Sequence, residues 1–413
     1  MKLVSRKFSD SFLFFSLIFL GLNICMPAFF KTLSIILFTL SIIYTYSSRT
    51  YSFDIKSLLD IKKLLLISLF IVYAIGCIYS SDSIEARKDI MVKLPFILLP
   101  ILFILSPKEH LTKKKLWYYG LSFIAGLLIL EIILITHAIL NGLNSSLPFI
   151  YSITYTKLSA NNHPSYMSMY SMVAFILIYK TPLIELFKLD KKRSFIIKLS
   201  SSIFLTLFTI LLNSRSGFIC LTATYIWIFF DLIIIEKKFK TAFLLISIIA
   251  SFYFLIFQIS GLNKRYINAS KNITTEKLEK STSGSMNQRR FIYLNVHKTI
   301  FENPIFGVGT GDVKIALEEL YKDNGVRFEH YLNAHNQFLQ TTLAIGAIGL
   351  IVLLAIFIVP FFQSFQTKDF FVGAVLVIIG ISFLFESILE RQMGVHFFSF
   401  TYLWFSSYLM AKE

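Results

Sequence analysis

Long apolar runs separated by short polar connections dominate the chain. A window matched to the roughly 20 residues of a bilayer-spanning helix finds runs at 12–29, 33–46, 64–79, 92–105, 116–140 and 166–179. Further runs follow at 195–212, 218–235, 243–259, 338–359, 370–385 and 395–410. Several fall short of that window, so flanking Ser, Thr and Tyr are expected to complete them. The pattern predicts an all-α fold, a polytopic transmembrane helical bundle of about 12 spans. The first run follows Lys2, Arg6 and Lys7 with no small-residue cleavage site to close it, which predicts a retained helix rather than a signal peptide.

One connection breaks the pattern. Residues 261–336 form a long, charge-rich segment whose first part, 263–287, is dominated by polar residues. From 288 to 301 the apolar residues Ile292, Val296 and Ile300 recur every fourth position, a helical stripe that Asn303-Pro304 stops. Gly307, Gly309 and Gly311 then predict a flexible turn, and 313–321 a second short helix. The expected architecture is therefore a bundle with one large, partly helical extracytoplasmic loop.

Composition agrees with lipid as the solvent: 55% of the 413 residues are hydrophobic, 15% are charged, and 44 are Phe. The formal charge of +16 does not point to nucleic acid, because Lys and Arg sit between apolar runs rather than on one folded module. Their placement instead gives an orientation. Arg49, Lys56, Lys62 and Lys63, then Lys108 and Lys113 to Lys115, fall in alternate connections. So do Lys180, Lys188 and Lys191 to Arg193, then Lys237, Lys238 and Lys240. The intervening short connections hold only Lys31, Arg87, Lys88, Lys157, Arg215 and Arg391. Basic residues favour the cytoplasmic side, so both chain ends are expected there, and the long loop outside. Cys25, Cys77 and Cys220 each lie in an apolar run without metal-ligand spacing, so neither a disulfide nor a cysteine-bound metal is expected.

The polar stretches that could carry chemistry all fall on the outer side. Asn213-Ser214-Arg215-Ser216-Gly217 is a hairpin between two runs, where an arginine serves either an anionic ligand or lipid headgroups. Arg289-Arg290 opens the loop helix, a place where cations oppose the helix dipole and an anionic partner would make sense of them. Ala334-His335-Asn336-Gln337-Phe338-Leu339-Gln340 marks re-entry into the membrane, followed by Ile345-Gly346-Ala347-Ile348-Gly349-Leu350. Asn161-Asn162-His163-Pro164-Ser165-Tyr166 precedes the sixth run, and Glu386-Ser387-Ile388-Leu389-Glu390-Arg391-Gln392 the last; both also read as ordinary helix boundaries. Glu131, inside a run, is either functional or a hydrogen-bonding group within the bundle.

The Ser-Arg hairpin, the run from Arg289 to Pro304 ending in Phe306-Gly307-Val308-Gly309-Thr310-Gly311, and the His335-Asn336 re-entry with its Gly-Ala-Ile-Gly helix together resemble one family. They are similar to the O-antigen ligase and polymerase superfamily of bacterial membrane glycosyltransferases. The resemblance covers roughly 161 to the C-terminus, while the earlier helices match only in hydropathy. This divides the chain into N-terminal transmembrane helices, 1–140, and a catalytic region, 141–413, that includes the loop. Tyr293 stands where such proteins often carry Trp.

The resemblance implies transfer of a glycan from undecaprenyl pyrophosphate to an acceptor hydroxyl on the periplasmic face of the inner membrane. Guanidinium matches phosphate oxygens in a planar fork, so Arg215 and Arg289 are the expected cations for the leaving group. Histidine is the side-chain type that titrates nearest pH 7, and among the candidates His335 alone coincides with the family's His-Asn position, so the resemblance makes it the expected base, ahead of His163, Glu386, His297 and His330. Arg290, His163, Asn336, Glu386 and Arg391 are expected to contact substrate. No Asp-x-Asp pair or His/carboxylate ligand cluster marks the outer side, so no metal and no cofactor is expected. The late, single large loop favours ligation of O-antigen to lipid A-core. A repeat-unit polymerase and a protein O-glycosyltransferase share the same parts; a small-anion transporter and a non-catalytic scaffold are readings from other classes.

Overall fold

A computed structural model describes residues 2–49, 51, 59–144, 148–160, 162–244, 247, 285–325 and 333–411. The predicted run 243–259, most of the polar part of the long loop, Asn161 and His330 lie wholly or largely outside the described residues. Helices α1 (Lys2–Asn23), α2 (Ala28–Ser47), α3 (Ile61–Ile78), α4 (Ser83–Lys93), α5 (Pro95–Leu105) and α6 (Lys113–Leu143) form the first half. After two single-turn helices come α7 (Pro164–Lys180), α8 (Lys191–Leu211) and α9 (Arg215–Phe230), the last closed by a π turn over Asp231–Ile235. The remainder is α10 (Ser285–Glu302), α11 (Val313–Asp323), α12 (Gln337–Gln366), α13 (Phe370–Phe385) and α14 (Gln392–Met410). No strand occurs among the described residues.

Local sequence sets the starts. Asp60, Asp82, Asp190, Ser214 and Asn336 each cap a helix by accepting first-turn amides that would otherwise be orphaned. Six helices among the described residues are long and apolar enough to cross a membrane: α2, α3, α6, α8, α9 with its π turn, and α12. Their outward faces stay apolar, as Ile129, Ile132, Ile133 and Leu140 do on α6, so the chain is a polytopic membrane-helical bundle. The other expected spans are shorter or more polar, and the run 92–105 is divided. Asp82 starts α4, a charged helix, and Pro95 opens α5 just after it, so 11 apolar residues rather than 14 follow the break.

At the centre stands α7, buried on every side from Pro164 to Ile178 and packed against α6, α8, α9 and α13. Glu131 of α6 is fully buried and accepts a 2.6 Å hydrogen bond from Ser171 of α7, the bundle-interior reading of that residue.

Contacts at the helix termini define two ends. At one, Lys180, the last residue of α7, meets Asp231 after α9 at 2.6 Å, and Lys62 of α3 donates to Gln363 of α12 at 2.9 Å. At the other, Ser165 of α7 bonds Ser214 before α9 at 3.0 Å and Glu386 after α13 at 3.2 Å. Arg215, His335 and Glu386 therefore share one end, while α6 and α8 begin, at Lys113 and Lys191, at the other.

The long connection is fastened into the bundle through a break in α12. Ile345 and Gly346 leave helical geometry, Gly346 with φ of 64°. Residues that an unbroken helix would pair, Leu343 with Ala347 and Ala344 with Ile348, turn to the loop instead. Val308 and Gly309 donate to the Leu343 and Ala344 carbonyls at 2.8 and 3.0 Å. Ala347 and Ile348 donate to the Pro304 and Ile305 carbonyls at 2.9 and 3.4 Å. The expected flexible turn is thus clamped, and all four backbone groups freed by the break are satisfied inside the protein.

Candidate functional site

Glu386 is the hub. Helix α13 ends at Phe385, and the extended backbone of Glu386 (φ −146°, ψ 145°) turns its side chain back among α7, α10 and the start of α12. The residue is 5% exposed, so its charge needs partners. Arg289 of α10 supplies one, with Nη2 at 2.6 Å from Oε1. Ser165 donates to the same oxygen at 3.2 Å. His335 Nδ1 lies 3.5 Å from Oε2 and His163 Nε2 3.9 Å from Oε1. Both contacts are too long or too oblique for good hydrogen bonds.

Burial alone would raise the Glu386 pKa, but contact with His335 and the charges of His163 and Arg289 outweigh it and hold the carboxyl below its ordinary value. Glu386 is thus an anion at neutral pH. His163, desolvated and further opposed by Arg391, Arg289 and His335, is held below the ordinary histidine value despite the attraction of Glu386.

His335 occupies the residue before the N-cap of α12 rather than the helix itself, with φ of 49°. Its backbone N–H donates to Asn333 Oδ1 at 2.9 Å and its carbonyl accepts from Tyr293 Oη at 3.2 Å. Tyr293 also donates to the Leu384 carbonyl at 3.0 Å, so one phenol joins the two strands of chain that carry His335 and Glu386. Asn336 caps α12, its Oδ1 accepting from Phe338 and Leu339. Gln337 accepts from the Leu389 amide at 2.7 Å, and Gln340 from Ala334 at 2.9 Å.

The remaining candidates stand nearby. Arg215 is the first residue of α9 and half-buried; its neighbour Ser214 bonds Ser165, which bonds Glu386. Arg290 is half-buried on α10, in its second turn, since α10 begins at Ser285 and not at the arginines. That start removes most of the dipole penalty expected for the pair. Arg391 is exposed at the start of α14, and His297 is exposed further along α10 beside Phe301.

Residues 200–354 match the O-antigen ligase family. No curated protein matches the chain. The O-antigen ligase match spans less than half of the chain and less than the resemblance covered, yet it contains Arg215, Arg289, Arg290, His335, Asn336 and both glycine motifs of the clamp. It stops before Glu386 and starts after His163. The hub carboxylate therefore comes from outside the O-antigen ligase segment.

Sequence reasoning had no role for Ser165 or for the Tyr293 hydroxyl, and it missed Lys93 entirely. Lys93, fully buried, sits 2.7 Å from Asp89 and 3.4 Å from Glu390, with its ammonium over the Tyr73 ring. A lysine in the middle of an apolar-flanked stretch was the available signal.

Proposed function

We propose that the chain is a membrane glycosyltransferase that moves a glycan from undecaprenyl pyrophosphate to an acceptor hydroxyl, as O-antigen ligation to lipid A-core does. Its active end faces the periplasm across the inner membrane, following the basic-residue asymmetry. The observation that carries the reading is the meeting, on buried Glu386, of Arg289 and His335 from the O-antigen ligase segment.

The acceptor oxygen attacks the anomeric carbon, the bond from that carbon to the pyrophosphate oxygen breaks, and the acceptor proton passes to His335. Glu386 then faces the imidazolium and stabilises it, while the outgoing pyrophosphate charge falls to Arg289 and Arg215. Arg290, His163, Asn336 and Arg391 border substrate, Asn336 with its carbonyl oxygen already given to the helix cap. Fixed guanidinium groups fill the place a metal ion would otherwise take, so the proposed reaction is metal-independent. The region 141–413 is the catalytic part.

The test is Arg215→Ala and Arg215→Lys in a cell lacking the native chain, read as its glycolipid profile. Arg215→Ala is expected to lose about 2–4 kcal/mol of transition-state stabilisation at unchanged protein level, and lysine to rescue poorly because it lacks the planar fork. Accumulated lipid-linked polymer marks a ligase, capping by single repeats a polymerase. Near-normal transfer by the lysine variant would reduce Arg215 to a headgroup anchor, and unchanged glycans with altered anion uptake would make the chain a transporter.

A further inference from the structure

Beside the Glu386 cluster lies a half-open cavity of about 340 Å³ between α4, α11, Asn333 and the turn before α14. Its charged lining is Glu85, Lys88, Asp89, Lys314, Glu390 and Arg391, three carboxylates and three cations. Glu85 is shared by Lys88 at 2.7 Å and Lys314 at 2.5 Å, and buried Lys93 backs Asp89 and Glu390. Most of the wall charge is thus paired, and the cavity offers many hydrogen-bond acceptors and donors side by side. Such a surface suits a ligand rich in hydroxyls, each both donor and acceptor.

The cavity and the Glu386 cluster share a wall. Asn333 lines the cavity and holds the His335 amide, and Arg391 lines it while its charge acts on His163.

We propose that this cavity is the acceptor subsite, holding a neutral, polyhydroxylated sugar residue so that one hydroxyl is presented to His335. The inference rests on the transfer reading above. It adds where the acceptor sits and what chemistry selects it.

Binding to the detergent-purified full chain tests it with three probes: farnesyl pyrophosphate, inorganic pyrophosphate, and the core oligosaccharide, the acceptor's own saccharide, freed by mild acid from the host's lipid A-core. Val92→Trp fills the cavity from α4, and Lys88→Ala, whose side chain is 65% exposed, removes a donor without threatening the fold. Both are expected to weaken the oligosaccharide about tenfold, the worth of one charge-assisted contact, and to leave farnesyl pyrophosphate within about twofold. Arg289→Ala should do the reverse. Unchanged oligosaccharide binding in both variants, no oligosaccharide binding by the native chain, or loss of inorganic pyrophosphate binding on filling the cavity would each overturn the proposal. Should native protein bind the oligosaccharide in a Val92→Trp-sensitive way yet ignore farnesyl pyrophosphate, the saccharide site stands and the transfer reading falls.

Discussion

A Cβ placed on Gly346 would stand 2.1 Å from the carbonyl oxygen of Ile305, and one on Gly307 would stand 2.6 Å from the amide nitrogen of Gly346. Two glycine-rich stretches nearly forty residues apart are thus the two faces of one joint, in which both backbones also need positive φ.

Gly346→Ala and Gly307→Ala should each destabilise by at least about 1–2 kcal/mol from backbone strain alone, with the clash adding to it. Gly380→Ala, whose new methyl would meet nothing nearer than 3.7 Å, should be neutral or stabilising. Melting temperatures of the purified variants check this. Equal melting of all three would mean the joint is not closed in the protein.

Glu386→Leu should destabilise the chain by about 3–5 kcal/mol, because it strands the Arg289 guanidinium in a mostly buried place. Arg289→Met combined with Glu386→Leu should recover much of that loss and still transfer nothing. Stability and activity are measured on the same preparations; a double variant that transfers normally would make the pair purely structural.

His335→Ala is expected to cost about 10²–10⁴-fold in transfer rate, the usual worth of a general base, with farnesyl pyrophosphate binding retained. Rate and binding are measured separately. If His335→Ala keeps most of its rate and His163→Ala does not, the base is His163.

Stability should fall as the medium is acidified through pH 6.5, the ordinary histidine value. His163 is held below that value in the fold, so the unfolded chain binds the proton more readily and stability is full above 6.5 and lost as pH drops toward the folded value. Glu386, also held low, adds a loss at more acidic pH, below its ordinary 4.5. Melting temperature against pH for native protein and His163→Gln checks the first step, which the variant should shrink but not abolish, because burial also holds His110 below its ordinary value.

Cysteine-accessibility labelling in intact cells and in inverted vesicles should place Arg215, His335 and Glu386 on one side and Lys113, Lys114, Lys191 and Lys192 on the other. Labelling of positions 215 and 114 from the same side would contradict the sidedness that the contacts define.

Much of this was legible in the order of residues. Apolar runs located most helices because a span's length is a property of one segment, and alternating basic connections separated the two ends for the same reason. The clustering of His163, Arg289, His335 and Glu386 was anticipated only as a shared side. Their meeting on one carboxylate depends on pairings up to 223 positions apart, between His163 and Glu386, for which periodicity carries no signal. The break in α12 was hidden for a related reason: Ile345-Gly346 reads as ordinary membrane helix until its partner at Pro304–Gly309 is known. Likewise the division at Leu94 needed the cap at Asp82, and Lys93 needed Asp89 and Glu390 in view.

The clamp at Pro304–Gly309 makes α10 a lever. Its fulcrum is fixed by backbone bonds to α12, and Arg289 lies about 20 Å away along the arm, at the 1.5 Å rise of a helix. At that distant point the arm is tied down by side chains: Arg289 to Glu386, Tyr293 to Leu384 and the His335 carbonyl, and buried Phe291 against Tyr321. An anion that takes the guanidinium from Glu386 therefore removes one tether of the arm without touching its pivot.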